Sequence, residues 1–97
     1  MEYFLGCQFD ARKSFYKKAK VKIKEDNLTC NELLYSYGTL VAIYTKDKLS
    51  NLEQFTCNGY FSQTTKRHQK EFFKQHGLND KEIVKLFNIG VLEREVN

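Results

Sequence analysis

From Lys18 to Lys24 polar and apolar residues alternate one for one, Lys-Ala-Lys-Val-Lys-Ile-Lys. In a strand this order turns Ala19, Val21 and Ile23 toward a core and four lysines away from it. Asp26-Asn27 reads as a turn, after which Glu32 to Lys46 forms a long β-prone run broken at Gly38, where a bulge or tight hairpin is expected. A polar loop over Lys46 to Asn51 leads to another alternating stretch, Glu53 to Tyr60, around Phe55, Cys57 and Tyr60. The period then changes. Ser62, Thr64 and Thr65 offer N-caps, and Thr65, His68, Phe72, Phe73 and His76 recur on one helical face, with Gly77 and Leu78 suited to a left-handed C-cap and its apolar contact. Asn79 with Glu82 three residues later starts a second helix, whose apolar side is Ile83, Val84, Phe87 and Leu86, up to Gly90. The tail VLEREVN fits a short strand and a frayed end equally. These elements predict an α+β fold: a three- to four-stranded antiparallel sheet in meander order, followed by two short helices packed on one face.

A chain of 97 residues has room for one domain and one modest core, so residues 1–97 are expected to form a single domain. Its 41% hydrophobic and 14% aromatic residues with 29% charged residues are too rich in core formers for disorder and too polar for a membrane protein. Apolar runs such as Leu40 to Tyr44 are far short of the roughly 20 residues that cross a bilayer, and the start MEYFLGCQFDARK lacks the basic-then-apolar order of a signal peptide. A cytoplasmic location without membrane partners follows. Cys7, Cys30 and Cys57 are odd in number and widely spaced, which matches neither a disulfide framework nor close zinc-ligand pairs. Free thiols are expected, no metal or other cofactor is assigned, and Cys57 with His68 and His76 is a weak mixed constellation.

Charge sharpens the picture. The net +4 is segregated: residues 1–24 carry +5 and residues 62–78 carry +3, while the remaining chain sums to −4. Two basic segments result, Lys18, Lys20, Lys22 and Lys24 on a strand and Lys66, Arg67, Lys70 and Lys74 on the polar side of the first helix. Lysines two apart on a strand are spaced by about 6.6 Å, comparable to phosphates along an extended nucleic-acid strand. The plainer use of such a ladder is to keep an exposed or edge strand from pairing with other chains. Tyr35 and Tyr37 share a strand parity, where core or interface packing is the expected use and base stacking the functional alternative.

Catalytic chemistry is not indicated. His68 beside Thr64, Thr65 and Arg67 has the makings of a phosphate or proton-transfer site, but such a histidine more often fixes a helix to a sheet through one hydrogen bond. No serine or cysteine nucleophile is spaced with a base and an orienting acid, no glycine-rich phosphate loop occurs, and the carboxylates are scattered. The expected activity is binding rather than catalysis.

Three stretches carry a resemblance: FYKKAKV (Phe15 to Val21), YSYGTLVA (Tyr35 to Ala42) and YFSQTTKRHQKEFFKQHG (Tyr60 to Gly77). They resemble a small domain of bacteriophages and mobile elements of low-GC Gram-positive bacteria. Its pattern is a Ser-Tyr-x-Thr-x-Val-Ala strand, here Ser36, Tyr37, Thr39, Val41 and Ala42, followed by Ser62, Thr64, Thr65, Arg67, His68, Glu71 and Phe72. The chain departs from it with Gln69 at a usually aliphatic position and a longer Lys46 to Phe55 connection, departures that leave room for a private binding surface. The resemblance brings no catalytic residues. It implies a small protein acting in a bacterial host cell by stoichiometric binding, foremost as an inhibitor of a host defence system of the anti-CRISPR type. The partner would then be a host protein or nucleoprotein complex such as a CRISPR effector, with exposed Tyr16, Tyr44 or Tyr60 as anchors. The positive charge speaks against DNA mimicry. The alternative is a nucleic-acid-binding accessory protein that sets the two basic segments on phosphates, and either a monomer or a homodimer fits both.

Overall fold

The computed structural model describes residues 1–59 and 62–95. Six strands, β1 (Glu2–Phe4), β2 (Ala19–Glu25), β3 (Thr29–Ser36), β4 (Thr39–Asp47), β5 (Leu52–Cys57) and β6 (Val91–Glu95), form one antiparallel sheet in chain order. Two helices, α1 (Gln63–Gln75) and α2 (Asp80–Ile89), lie between β5 and β6 in the chain. The expected α+β class holds, with β2 to β5 as the anticipated meander, but the sheet has six strands rather than three or four. The pattern gives no sign of β1 and leaves the β6 tail open between a strand and a frayed end, each for a physical reason. At three residues β1 is too short to show a period, and β6 alternates half-exposed and exposed residues without a continuous apolar side. Because β1 pairs with β2, the lysine-bearing strand is internal and not an edge.

Register sorts the two faces. Val21, Leu34, Ala42 and Cys57 lie in one row across β2 to β5, and Ile23, Glu32, Tyr44, Phe55 and Leu92 in the next. This face meets the helices, α1 over β3 and β4, α2 over β5 and β6. Phe55, Phe72, Phe73, Leu34 and Leu86 are fully enclosed between them. In β4 the partners Leu34 with Ala42 and Tyr35 with Leu40 leave Val41 as an extra residue, so Val41 and Ala42 are both buried. The bulge exposes a backbone acceptor to the core, and Val41 O receives Asn58 N at 3.0 Å and the Gln69 side-chain amide at 2.9 Å. Gln69 is therefore a buried partner of the bulge and not part of a private surface.

The helix ends follow local chemistry. Ser62 Oγ accepts from Thr65 N at α1, Gly77 has φ +88°, and Gly77 N to Lys74 O with Leu78 N to Phe73 O closes a Schellman end. At α2, Asn79 and Glu82 exchange both capping-box bonds, at 2.9 and 3.0 Å. Ile83 and Leu86 are buried as expected, whereas Val84 is exposed. Among the described residues no helix is long and apolar enough to cross a membrane.

Three buried polar groups lock the layers together. Glu71 Oε1 accepts Phe9 N and Asp10 N, both at 2.8 Å, and its Oε2 accepts the Gln75 amide at 2.7 Å, while Gln75 also reaches Gly6 O. The irregular N-terminal segment is thus pinned to α1. Glu53 accepts the Tyr44 hydroxyl and the Arg94 guanidinium, and Arg94 also donates to His76 O, which joins β4, β5 and β6 to the end of α1. Burial pushes the Glu53 carboxyl up, but the Tyr44 and Arg94 donors outweigh it and hold it below its ordinary value. His68 Nδ1 lies 2.8 Å from Ser36 Oγ, and burial lowers its pKa from 6.5, so the ring is held neutral.

Glu71→Ala strands two backbone amides and is expected to lower the unfolding free energy by about 2–4 kcal/mol, read by urea denaturation, with faster hydrogen exchange at Phe9 and Asp10. Acid is expected to destabilise the fold in two steps. Below the ordinary histidine value of 6.5 the unfolded chain takes up a proton that folded His68 resists. Below the ordinary carboxyl value of 4.5 the unfolded chain takes one that folded Glu53 resists. In both cases the native state binds fewer protons, so stability falls with pH. His68→Asn, which keeps a donor or acceptor toward Ser36, should flatten the upper step in a pH series of denaturation midpoints, and an unchanged slope would refute the assignment.

Candidate functional site

The sheet face away from the helices carries no second layer among the described residues. On it, Lys22 pairs with Leu33, Leu33 with Ile43, Ile43 with Thr56 and Thr56 with Val91, while Lys20 pairs with Phe4 on one side and Tyr35 on the other. The alternation of Lys18 to Lys24 puts lysines here because Ala19 and Val21 fill the core on the opposite side. A groove of about 530 Å³ runs along this face, lined by Phe4, Lys18, Lys20, Lys22, Tyr35 and Tyr37 among others. Lys22 Nζ stands 5.0 Å from the Tyr35 ring centre, and Lys17 and Lys20 lie 5.8 and 5.9 Å from that of Phe4. Lys20 also pairs with Glu2 at 2.9 Å, an interaction that holds the Glu2 carboxyl below its ordinary value.

Two tight turns shape one end of the groove. The hairpin between β3 and β4 turns through Tyr37 (φ 51°) and Gly38 (φ 82°), and Phe15 to Lys18 turns through Tyr16 (φ 53°) and Lys17 (φ 62°), closed by Lys18 N to Phe15 O at 3.0 Å. Tyr37 N to Lys18 O at 2.9 Å ties the two turns side by side. Left-handed backbone at a non-glycine residue costs about 1–2 kcal/mol, and here Tyr16, Lys17 and Tyr37 all accept it. The result is two tyrosines held outward on rigid turns, at 72% and 58% exposure. Beside them is a smaller cleft of about 150 Å³ reaching the start of α1, lined in part by Arg12, Ser14, Lys18, Thr64, Arg67 and His68.

The residues singled out from sequence separate accordingly. Lys18, Lys20 and Lys22 converge on the groove, and Lys24 lies further along the same face, in register with Asn31. The sheet stands between these lysines and the α1 cations, which do not merge with them into one patch. Lys70 and Lys74 flank the N-terminal segment, with Lys74 3.3 Å from Asp80, and Lys66 lies toward α2 with its ammonium 5.6 Å from the Phe87 ring centre. Arg67, 3.8 Å from Asp10, lines the same cleft as Lys18. Tyr35 and Tyr37 both face the groove rather than the core.

Tyr16 has the exposure expected of an anchor; Tyr44 does not, because its parity in β4 turns it into the core, where its hydroxyl bonds Glu53 and its ring stacks on His76 at 3.9 Å. Tyr60 lies outside the described residues. Cys57 is buried, and burial pushes its thiol up to about 11, while His68 and His76 are held by Ser36 and Glu32. No cluster of three or more His, Cys, Asp or Glu with metal-binding geometry occurs among the described residues. Phe4, Arg12, Ser14 and Lys17 were not anticipated; the pairing of β1 and the fold of the N-terminal segment bring them in, and nothing in their local sequence announces it.

No curated protein and no solved structure matches this chain. Residues 3–86, from β1 through most of α2, match the model of a family of unknown function, DUF8033. The match covers β2 to β5, both turns and the cleft, and the chain belongs to that family.

Proposed function

We propose that this protein acts by binding, and that its open sheet face docks a single-stranded nucleic acid. The observation that carries the reading is the convergence of Lys18, Lys20 and Lys22 with Phe4, Tyr35 and Tyr37 in one groove. Phosphates need a row of cations at strand spacing, and unpaired bases need flat apolar rings beside them. An internal strand has no pairing edge to protect, so edge protection does not account for lysines on β2. Proteins that bind single strands without strong sequence preference combine these two elements, a cationic track and a stacking platform.

A second reading is favoured by the exposed Tyr16 and Tyr37. Rigid aromatic side chains on strained turns suit a protein interface, where a few such anchors dominate the binding energy. On that reading the protein is a bacteriophage or mobile-element product that inhibits a host defence complex of the anti-CRISPR type by covering a nucleic-acid-bound surface in the bacterial cytoplasm. Its positive charge suits such a complex better than it suits imitation of DNA.

Salt dependence separates the two. With three lysines on phosphates, log affinity for an unstructured oligonucleotide should fall against log salt with a slope of about −2. Charge reversal of Lys20 and Lys22 should weaken all sequences about equally and flatten that slope. Salt-resistant capture of a host nuclease complex with no oligonucleotide binding would instead support the inhibitor. Tyr16→Gly should leave stability within about 1 kcal/mol of the parent, because strain relief and added chain entropy oppose each other. It should nonetheless cost more than tenfold in affinity for a protein partner if Tyr16 is an anchor.

A further inference from the structure

The cleft at the joined turns has a chemistry of its own. Ser62 Oγ donates to Thr65 Oγ1 at 3.4 Å, Thr65 Oγ1 and Ser36 Oγ are 3.0 Å apart, and Ser36 Oγ and His68 Nδ1 are 2.8 Å apart. These contacts join Ser62, Thr65 and Ser36 to Nδ1 in one chain and leave Nε2 as the ring nitrogen outside it. His68 is 1% exposed, and Nε2 has no protein partner among the described residues. It is not sealed in either, since every fully enclosed side-chain nitrogen or oxygen among those residues is hydrogen-bonded. His68 lines the cleft.

The other polar groups of the wall are donors. Ser14 Oγ accepts Tyr16 N at 2.9 Å, which leaves its hydroxyl proton free, and the Thr64 hydroxyl, the Arg12 guanidinium and the Lys18 ammonium have no side-chain acceptor among the described residues. Arg67 is shared with Asp10, whose carboxylate lies at the flank and is not part of the cleft lining. Beside the rings of Phe15, Tyr16 and Tyr37, the lining brings three cations, the Ser14 and Thr64 hydroxyls and an imidazole, with no carboxylate, a set that favours an anion with several acceptor oxygens. At about 150 Å³ the cleft has room for a phosphate group. Lys18 and Tyr37 line both cleft and groove, so the remainder of a ligand would leave past them onto the open face.

We propose that this cleft is a phosphomonoester site, taking the terminal phosphate of a nucleotide or of a nucleic-acid strand. The site stands on its own donors; only the strand as source of the phosphate rests on the groove reading above.

The test titrates the full chain with inorganic phosphate and with a nucleoside 5′-monophosphate against chloride of equal ionic strength, following the His68 side-chain and Ser14 to Lys18 backbone resonances by NMR. Phosphate, and not chloride, should move them, and exposed Arg12→Gln, which leaves the core intact, should weaken the effect about tenfold. In a second arm, an oligonucleotide with a 5′-phosphate should bind about tenfold more tightly than its 5′-hydroxyl form. Phosphate binding without oligonucleotide binding would support the site with a free phosphomonoester as ligand and defeat the strand reading. Equal oligonucleotide affinities with His68 unmoved by phosphate would overturn the site and leave the groove standing. Equal shifts in chloride, or no effect of Arg12→Gln, would overturn it as well.

Discussion

The arrangement depends on the carboxylate of Glu71. It sits 1% exposed on the packed side of α1 and gathers two consecutive backbone amides from a segment with no regular structure of its own. A buried acceptor with several donors is costly to leave unmet, so the N-terminal segment is held against the helix. Everything at the turn end inherits this tie. It holds the backbone of Asp10, within reach of Arg67, and so sets the path that carries Arg12 and Ser14 to the cleft wall. Polar interactions at the opposite end play the matching part, with Arg94 bridging Glu53 and the carbonyl of His76.

Between these two ties the sheet is asymmetric by design of its pattern. One face turns its aromatic residues to the helices, and the other leaves Tyr35, Leu33 and Ile43 half-buried, with Lys22 over the Tyr35 ring. Lysine methylenes cover apolar surface while their ammonium groups stay in water, which lets such a face remain hydrated yet ready to receive a flat ring. Apart from Arg67 at the cleft, the cations of α1 serve a different neighbourhood, the N-terminal segment and α2.

Much of this was readable where the signal is local. The one-for-one alternation at Lys18 to Lys24, the Gly77-Leu78 stop and the Asn79-Glu82 box each depend on residues within a few positions of one another, and each appears as its chemistry requires. What escaped depends on distant partners. Val41 becomes an extra residue only against β3, and that bulge changes the parity that would have revealed Tyr44 as a core residue. Tyr37 reads as a strand residue by parity but turns with Gly38, since tyrosine carries no sequence mark of left-handed backbone. Gln69 looks like a break in an apolar face until the open carbonyl of Val41 is set opposite it. The cleft required Glu71 to be paired with amides more than sixty positions away.

The position of the helices between β5 and β6 carries a consequence for how the molecule assembles. From β2 to β5 every pairing joins neighbours in the chain, so this meander closes through short loops and little chain entropy. The β5 and β6 pairing instead spans both helices, and the residue that seats β6, Arg94, reads a carbonyl freed only where α1 has ended. The last strand therefore works as a latch, and one side chain fastens the end of the chain to the end of the first helix.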